Sequence, residues 1–233
     1  MYLSRIRLRL EQLQPVMLQK WDAAAPYASH QWLWQLFPDQ DRRQFLFRQE
    51  DNGQFFMLSA MPPLTGHALL AVETRPFRPQ LAQGAVLDFQ LRANPVVTRQ
   101  GKRSDVMMDA KYQAKARGVP REQWWGLQQQ AAQSWLERQG EQHGFRLLPA
   151  QPASLALWAG DDDTDVVDSD CVKGYQQHSF TRKQQEAPVT YSSVDFAGTL
   201  QVTNVALFGS ALFNGIGKSK ALGCGMLMVK RGR

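Results

Sequence analysis

Cysteine is nearly absent from this chain: Cys171 and Cys224 are the only two in 233 residues. Two thiols cannot build the multi-bridge framework of a small secreted protein, so a reducing cytoplasm is the expected compartment. Long apolar runs are missing as well. Nothing approaches the roughly 20 consecutive apolar residues of a membrane helix, and no membrane partner is expected. The opening stretch "MYLSRIRLRL" alternates apolar and basic residues where a secretory signal would form an apolar block. Histidine is scarce, with four copies, and His67, His143 and His178 stand at no metal-ligand spacing from either cysteine. Nucleotide-loop chemistry lacks its glycines. In "FNGIGKSKALGCG" the phosphate-loop reading meets Leu212 where glycine is required, and the dinucleotide fingerprint meets Lys220 at its third glycine.

What is present suits a soluble protein with a core, 43% hydrophobic and 21% charged. The length fits one large domain or two small ones. The formal charge is +6, and "DDDTDVVDSD", Asp161 to Asp170, holds six aspartates, so the rest of the chain stands at +12. A basic body favours a polyanionic partner, nucleic acid first. The acidic run lacks the glycine and terminal glutamate of a calcium loop and reads as a solvated loop.

Periodicity divides the chain. Residues 2–10 place Ile6, Leu8 and Leu10 on one face and Arg5, Arg7 and Arg9 on the other, a strand with one buried side. Pro26–Phe37 reads as a helix with proline in its first turn. Arg43–Gln49 and Gln54–Ala60 flank the turn "EDNG" as a hairpin. A short helix through Thr65–Val72 and a strand over Val86–Pro95 complete β-α-β-β-α-β, the ferredoxin-like order. The polar, cationic stretch 98–119 reads as a linker or hairpin. A second unit, 120–233, begins with an amphipathic helix over Pro120–Gln139 that ends at Gly140, with Trp124, Leu127, Ala131 and Trp135 at helical spacing. "GFRLLPA", "VDFAGTLQV" and "GMLMVK" read as strands, and "NVALFGSALFNGIG" as a helix closing on glycine. The expected fold is α+β, with two tandem ferredoxin-like domains, 1–97 and 120–233.

Two constellations carry chemistry. Tyr27 and His30 are i and i+3 neighbours on the first helix, and Trp34 extends their stripe. Spacing alone suits a stripe packed into a core. The first turn also offers free N–H groups to an anion, and histidine moves protons near neutral pH. The second is the glycine-rich segment Gly215–Gly225. Its glycines let backbone N–H groups approach a phosphate and Lys218 and Lys220 add charge, although a bland tight turn has the same composition.

Four stretches in order, "MYLSRIRL", "PYASHQWLWQLFP", "FQLRANP" and "GIGKSKALGCGML", resemble the CasE family, the repeat-processing endoribonucleases of type I-E CRISPR systems. The resemblance runs from residue 1 to about 229. It implies two tandem ferredoxin-like domains that bind the stem-loop of the CRISPR repeat transcript. It implies a cut at the 3′ base of that stem with no metal and no cofactor. It also implies that the protein keeps the mature crRNA and joins the other Cascade subunits. His30 matches the family's catalytic histidine, and Tyr27 matches a tyrosine that assists in some members. Gly215, Gly217, Lys218, Ser219, Lys220, Gly223 and Gly225 match its glycine-rich loop. The acidic run is a departure from the family pattern. Cleavage without metal uses the substrate's own 2′-OH, so one group takes that proton and another protonates the leaving 5′-oxygen. His30 and Tyr27 are the candidates, in either order. Arg99, Lys102, Arg103, Lys111, Lys115 and Arg117 carry enough charge to track an A-form backbone, though a solvated loop would hold the same residues. The alternative is an RNA-hairpin-binding protein of the same fold that does not cut.

Overall fold

The computed structural model describes residues 1–12, 27–50, 53–99, 101–149, 171–181 and 187–231. The acidic run 161–170 lies outside them. Strand β1, Tyr2–Leu8, alternates as its sequence does: Ser4 and Ile6 are buried, while Arg5 and Arg7 point out and both bond Glu73. Helix α1 covers residues 27–34 and then loosens into a turn, short of the predicted end at Phe37. Strands β2, Phe45–Gln49, and β3, Gln54–Ser59, form the predicted hairpin, and β4, Leu70–Pro76, completes a sheet in the order β2-β3-β1-β4. Every pairing is antiparallel. Leu33, Leu36 and Phe37 pack onto Ile6, Phe45, Phe47, Phe55, Met57 and Leu70. Each such side chain contributes roughly 1.5–3 kcal/mol when fully buried.

Two predicted elements change here. Thr65–Val72 is not a helix: bends give way to β4 at Leu70. Its backbone groups are satisfied by the β1 edge, and a helix there would leave that edge bare. Strand β5, Val86–Ala93, does not close the first sheet. It pairs with β10, Val189–Val202, and β11, Leu227–Arg231, in a second sheet. The break between the two sheets therefore lies between Pro76 and Val86, ahead of the predicted boundary at residue 97.

The second sheet runs β11-β5-β10-β8, with β8 over Phe145–Leu148, and β9, Val172–Phe180, pairs with the free half of β10. Helix α3, Trp124–His143, joins β5 to β8, and α4, Val205–Asn214, joins β10 to β11. Each sheet thus has its unit's first and third strands in the middle, which is the ferredoxin-like arrangement twice over. Helix α3 runs past Gly140 to His143 and ends on left-handed Gly144. Gly140 serves a different end: a Cβ there would meet the Phe145 carbonyl at 2.6 Å. The buried stripe of α3 is Gln128, Ala132, Trp135, Leu136 and Gly140. Asn204 caps α4 by accepting from Leu207 N at 3.0 Å.

Residues 98–119 hold real structure. Strands β6, Val96–Arg99, and β7, Lys102–Asp105, form a hairpin, and helix α2, Val106–Ala116, packs along α3. Asp105 caps α2 through Met108 N at 2.7 Å.

The two sheets meet through an apolar cluster of Leu46, Leu58 and Met226, with Leu3, Phe56, Phe77 and Phe213 around it. Beside it, Arg92 on β5 forks onto Asp195 on β10 at 2.9 and 3.0 Å and donates to Gln49 O on β2 at 3.1 Å.

Candidate functional site

Helix α1 presents His30 to a wall of rings. Its imidazole lies 5.6 Å from Trp34, 6.0 Å from Phe45 and 6.4 Å from Phe47, centroid to centroid. Nε2 is buried and has no hydrogen-bond partner among the described residues. A buried polar atom left in this way asks for an explanation, and a catalytic role is one. Burial first, then the charge of Arg43, lowers the His30 pKa below its ordinary 6.5, so the ring is neutral at pH 7. Tyr27, one turn earlier, accepts a bond from Gln31 Nε2 at 3.1 Å and stacks its ring on Phe180 of β9 at 6.0 Å. The stripe read from spacing is therefore split. His30 and Trp34 face the aromatic core of the first sheet, and Tyr27 reaches the second.

The glycine-rich segment comes to the same place because it wraps the edge of β2. Gly223 leaves room for Phe47, where a Cβ would stand 3.2 Å from the ring. Gly215, at φ +74°, has its α-carbon against Leu46 and the Gly225 carbonyl, with a Cβ at 2.8 Å from that oxygen. No other residue type fits both the left-handed backbone and the close approach. Gly217 meets Trp135 of α3, and Gly225 N donates to Arg92 O at 2.7 Å. Ser219 is left-handed at φ +55°, the only non-glycine so placed among the described residues. Its neighbours hold it there: Asn94 Nδ2 donates to Ser219 Oγ at 2.6 Å, Asn94 bridges Lys218, and Leu222 N donates to Ser219 O at 2.8 Å.

Charge collects where these pieces meet. Lys220 is half-buried, and its pKa is lowered by burial first, then by Arg43, then by Lys218. His143, at the end of α3, is lowered by burial and then by Lys220. Arg43 thus faces both His30 and Lys220, and its own Nη1 is buried with no hydrogen-bond partner among the described residues. A cavity of about 480 Å³ opens here, lined by Lys218, Lys220, Arg103, His143, Thr98 and Gln139, among others. Such a cationic hollow, with glycine backbone on one wall, can hold the oxygens of a phosphate.

The predicted basic residues part company. Arg103 lines this cavity, and Lys102 stands exposed at the hairpin tip. Arg99 is paired with Asp109 at 2.8 Å, Lys111 lies over the Trp124 ring at 5.8 Å, and Arg117 donates to Gln113 O at 3.2 Å. Arg99 and Arg117 line a separate groove between α2 and α3. Lys115 is exposed on α2. Arg43 and His143 were not singled out from sequence. Arg43 sits in "DRRQ", which carries no motif, and His143 offers only a metal spacing that fails. Among the described residues, no three His, Cys, Asp or Glu side chains gather as metal ligands would.

Known proteins share this architecture. The family model for "CRISPR associated protein" matches residues 1–231. The chain is 26% identical to the CRISPR system Cascade subunit CasE of Escherichia coli (strain K12), over 98% of both chains. It is 28% identical to the CRISPR-associated endoribonuclease Cse3 of Thermus thermophilus, over 66% of this chain and 60% of that protein. The solved structure of a Cse3 endoribonuclease bound to a 19-nt RNA superposes with a TM-score of 0.69 at 24% identity, covering 98% of both chains. With the family model spanning almost the whole sequence, this chain belongs to the CRISPR associated protein family, among the relatives of CasE and Cse3.

Proposed function

We propose that the protein is an endoribonuclease that cuts CRISPR repeat transcripts at the 3′ base of the repeat stem-loop, without metal, and keeps the mature crRNA as a Cascade subunit in the cytoplasm. The observation that carries this reading is a neutral His30, its buried Nε2 without a hydrogen-bond partner among the described residues, beside Arg43, whose charge also acts on Lys220 at the rim of the cavity that Lys220 and Lys218 line. The relatives' names point the same way: one is a Cascade subunit, another a CRISPR-associated endoribonuclease. No helix among the described residues is long and apolar enough to cross a membrane.

His30 in its neutral form takes the proton of the 2′-OH. The 2′-oxygen attacks the adjacent phosphorus, the P–O5′ bond breaks, and the leaving 5′-oxygen receives a proton from the Tyr27 hydroxyl. The products are a 2′,3′-cyclic phosphate and a 5′-hydroxyl. Lys220 and Lys218 face the negative charge that grows on the phosphoryl oxygens. The hairpin β6–β7 carries Lys102 and Arg103 towards the stem, which is read by shape and phosphates.

The test is a labelled repeat RNA incubated with the protein in EDTA. A single cut at the base of the stem is expected. His30→Ala should slow it by about 10²–10⁴-fold and leave hairpin binding intact. A repeat with one deoxynucleotide just 5′ of the cut should bind and resist. Cleavage of that deoxy substrate at the same bond would mean attack by water and would end the proposed mechanism. Binding by the wild type with no cut at all would favour a hairpin-binding protein of this fold.

A further inference from the structure

Next to the basic cavity lies a second one, of about 600 Å³, which the proposed reaction leaves unused. The two share Asn94, Val96 and Arg103 as a common wall. Ser219 and Leu222 of the glycine-rich segment close the near side, and the ribbon of β9 and β10 forms the far side. On that ribbon His178 and Tyr191 stand opposite each other in register, with ring centroids 4.4 Å apart and planes at 14°. Both are half-buried. Tyr191 meets Phe180 edge-on at 6.5 Å, and Phe180 stacks on Tyr27 at 6.0 Å, so a run of rings joins the ribbon to the helix that carries His30.

The remaining lining is uncharged apart from Arg103 and Asp105, with Gln177, Ser179 and Thr190 on the ribbon side. Asp105 is fixed by accepting from Ser192 and from Met108 N. Its carboxylate disfavours a phosphate here, while Lys218 and Lys220 draw phosphates into the neighbouring cavity. His178 is kept neutral by burial first and then by Arg92, and its Nε2 bonds Ser193 Oγ at 2.8 Å. Flat rings beside amide and hydroxyl groups suit a planar heterocycle with a polar edge.

We infer that this cavity receives one unpaired nucleobase of the RNA, which stacks on the His178–Tyr191 pair next to the phosphates held by the glycine-rich segment. This rests on the RNA-cleaving reading above and adds to it a base-recognition site outside the stem. The experiment uses the full chain and a repeat stem-loop RNA with 2-aminopurine placed in turn at each unpaired nucleotide flanking the stem. One position should lose fluorescence several-fold on binding. Tyr191→Phe should keep that quench. Tyr191→Ala and His178→Ala should each abolish it and weaken binding of the flanked RNA by about 5- to 150-fold, the span for one stacked base. Neither should change affinity for the bare stem-loop. His178 lies on the edge strand, so its variant tests the site should Tyr191→Ala fail to fold. Wild-type protein that binds and cuts but quenches at no position would overturn this inference alone, as would a folded alanine variant that still quenches. Wild-type protein that neither binds nor cuts would overturn the reading of the active site and this one with it.

Discussion

The His30 imidazole is tuned by its surroundings, and both causes act in one direction. Burial and the Arg43 charge each disfavour the imidazolium, so the folded pKa lies below the unfolded 6.5. Above that ordinary value the ring is neutral in both states and costs the fold nothing. As pH falls from 6.5 towards the lowered folded value, the unfolded chain takes up a proton that the folded one refuses, and stability declines across that window. Cleavage should follow the folded pKa: the rate holds at pH 7 and falls only once the lowered value is reached. Arg43→Gln removes the lesser of the two causes. The acidic limb of the single-turnover pH profile should then move to higher pH, towards the ordinary value without reaching it. Loss of a cation that also acts on Lys220 changes the plateau as well, so the limb's position is the measurement that decides. A limb that stays put, or moves to lower pH, would remove Arg43 from the account of His30.

At the scale of elements, the hairpin β6–β7 separates residues that look equivalent in sequence. Arg99 is committed to Asp109 at the root of α2, whereas Arg103 opens onto the cavity with Lys218 and Lys220. Arg103→Ala should therefore weaken RNA binding and reduce the slope of log affinity against log salt by about one phosphate's worth. Arg99→Ala should leave that slope unchanged. Equal slopes for the two variants would mean that the hairpin meets RNA along its whole length. The contrast also marks what a sequence can reveal. Strand β1 was legible because Arg5 and Arg7 alternate with buried Ile6, and α4 because Asn204 and Gly215 bracket it. Strand β4 was not, since "LAVETRP" has one buried residue and its partner β1 is more than sixty positions away. Strand β9, "VKGYQQHSF", was missed for the same reason: it is an edge strand with polar residues on both faces, held by register with β10. Of the site, the chemistry-bearing types were visible as Tyr27, His30, Lys218 and Lys220. What brings them together was not, because the contact of the glycine-rich segment with Leu46 and Phe47 depends on how the two sheets meet.

That meeting of sheets is the molecule's central structural commitment, because His30 stands on one unit and Lys220 on the other. The apolar cluster around Leu46, Leu58 and Met226 supplies area, and the Arg92–Asp195 fork supplies direction. Asp195 also lies 3.8 Å from Arg48 of β2, and Arg48 approaches Glu50 at 2.8 Å. The side chains of Arg92 and Asp195 are 26% and 32% exposed, and that of Arg48 is 10% exposed, so solvent screens the fork only in part. Removing the carboxylate strands the Arg92 guanidinium at the junction, while Arg48 keeps Glu50. Asp195→Ala should then cost about 2–3 kcal/mol, below the full penalty of a wholly buried pair. In a chain of this length that lowers Tm by about 4–12 °C in a thermal melt. Replacing both partners, Arg92→Met with Asp195→Leu, should recover much of the loss, since neither charge is then left unpaired. Cleavage is the second readout. If the fork holds Phe47, and so His30, in register with the glycine-rich segment, Asp195→Ala should slow single-turnover cleavage more than it weakens RNA binding. Below its own Tm, cleavage at the wild-type rate would show that the apolar cluster alone sets the geometry of the site.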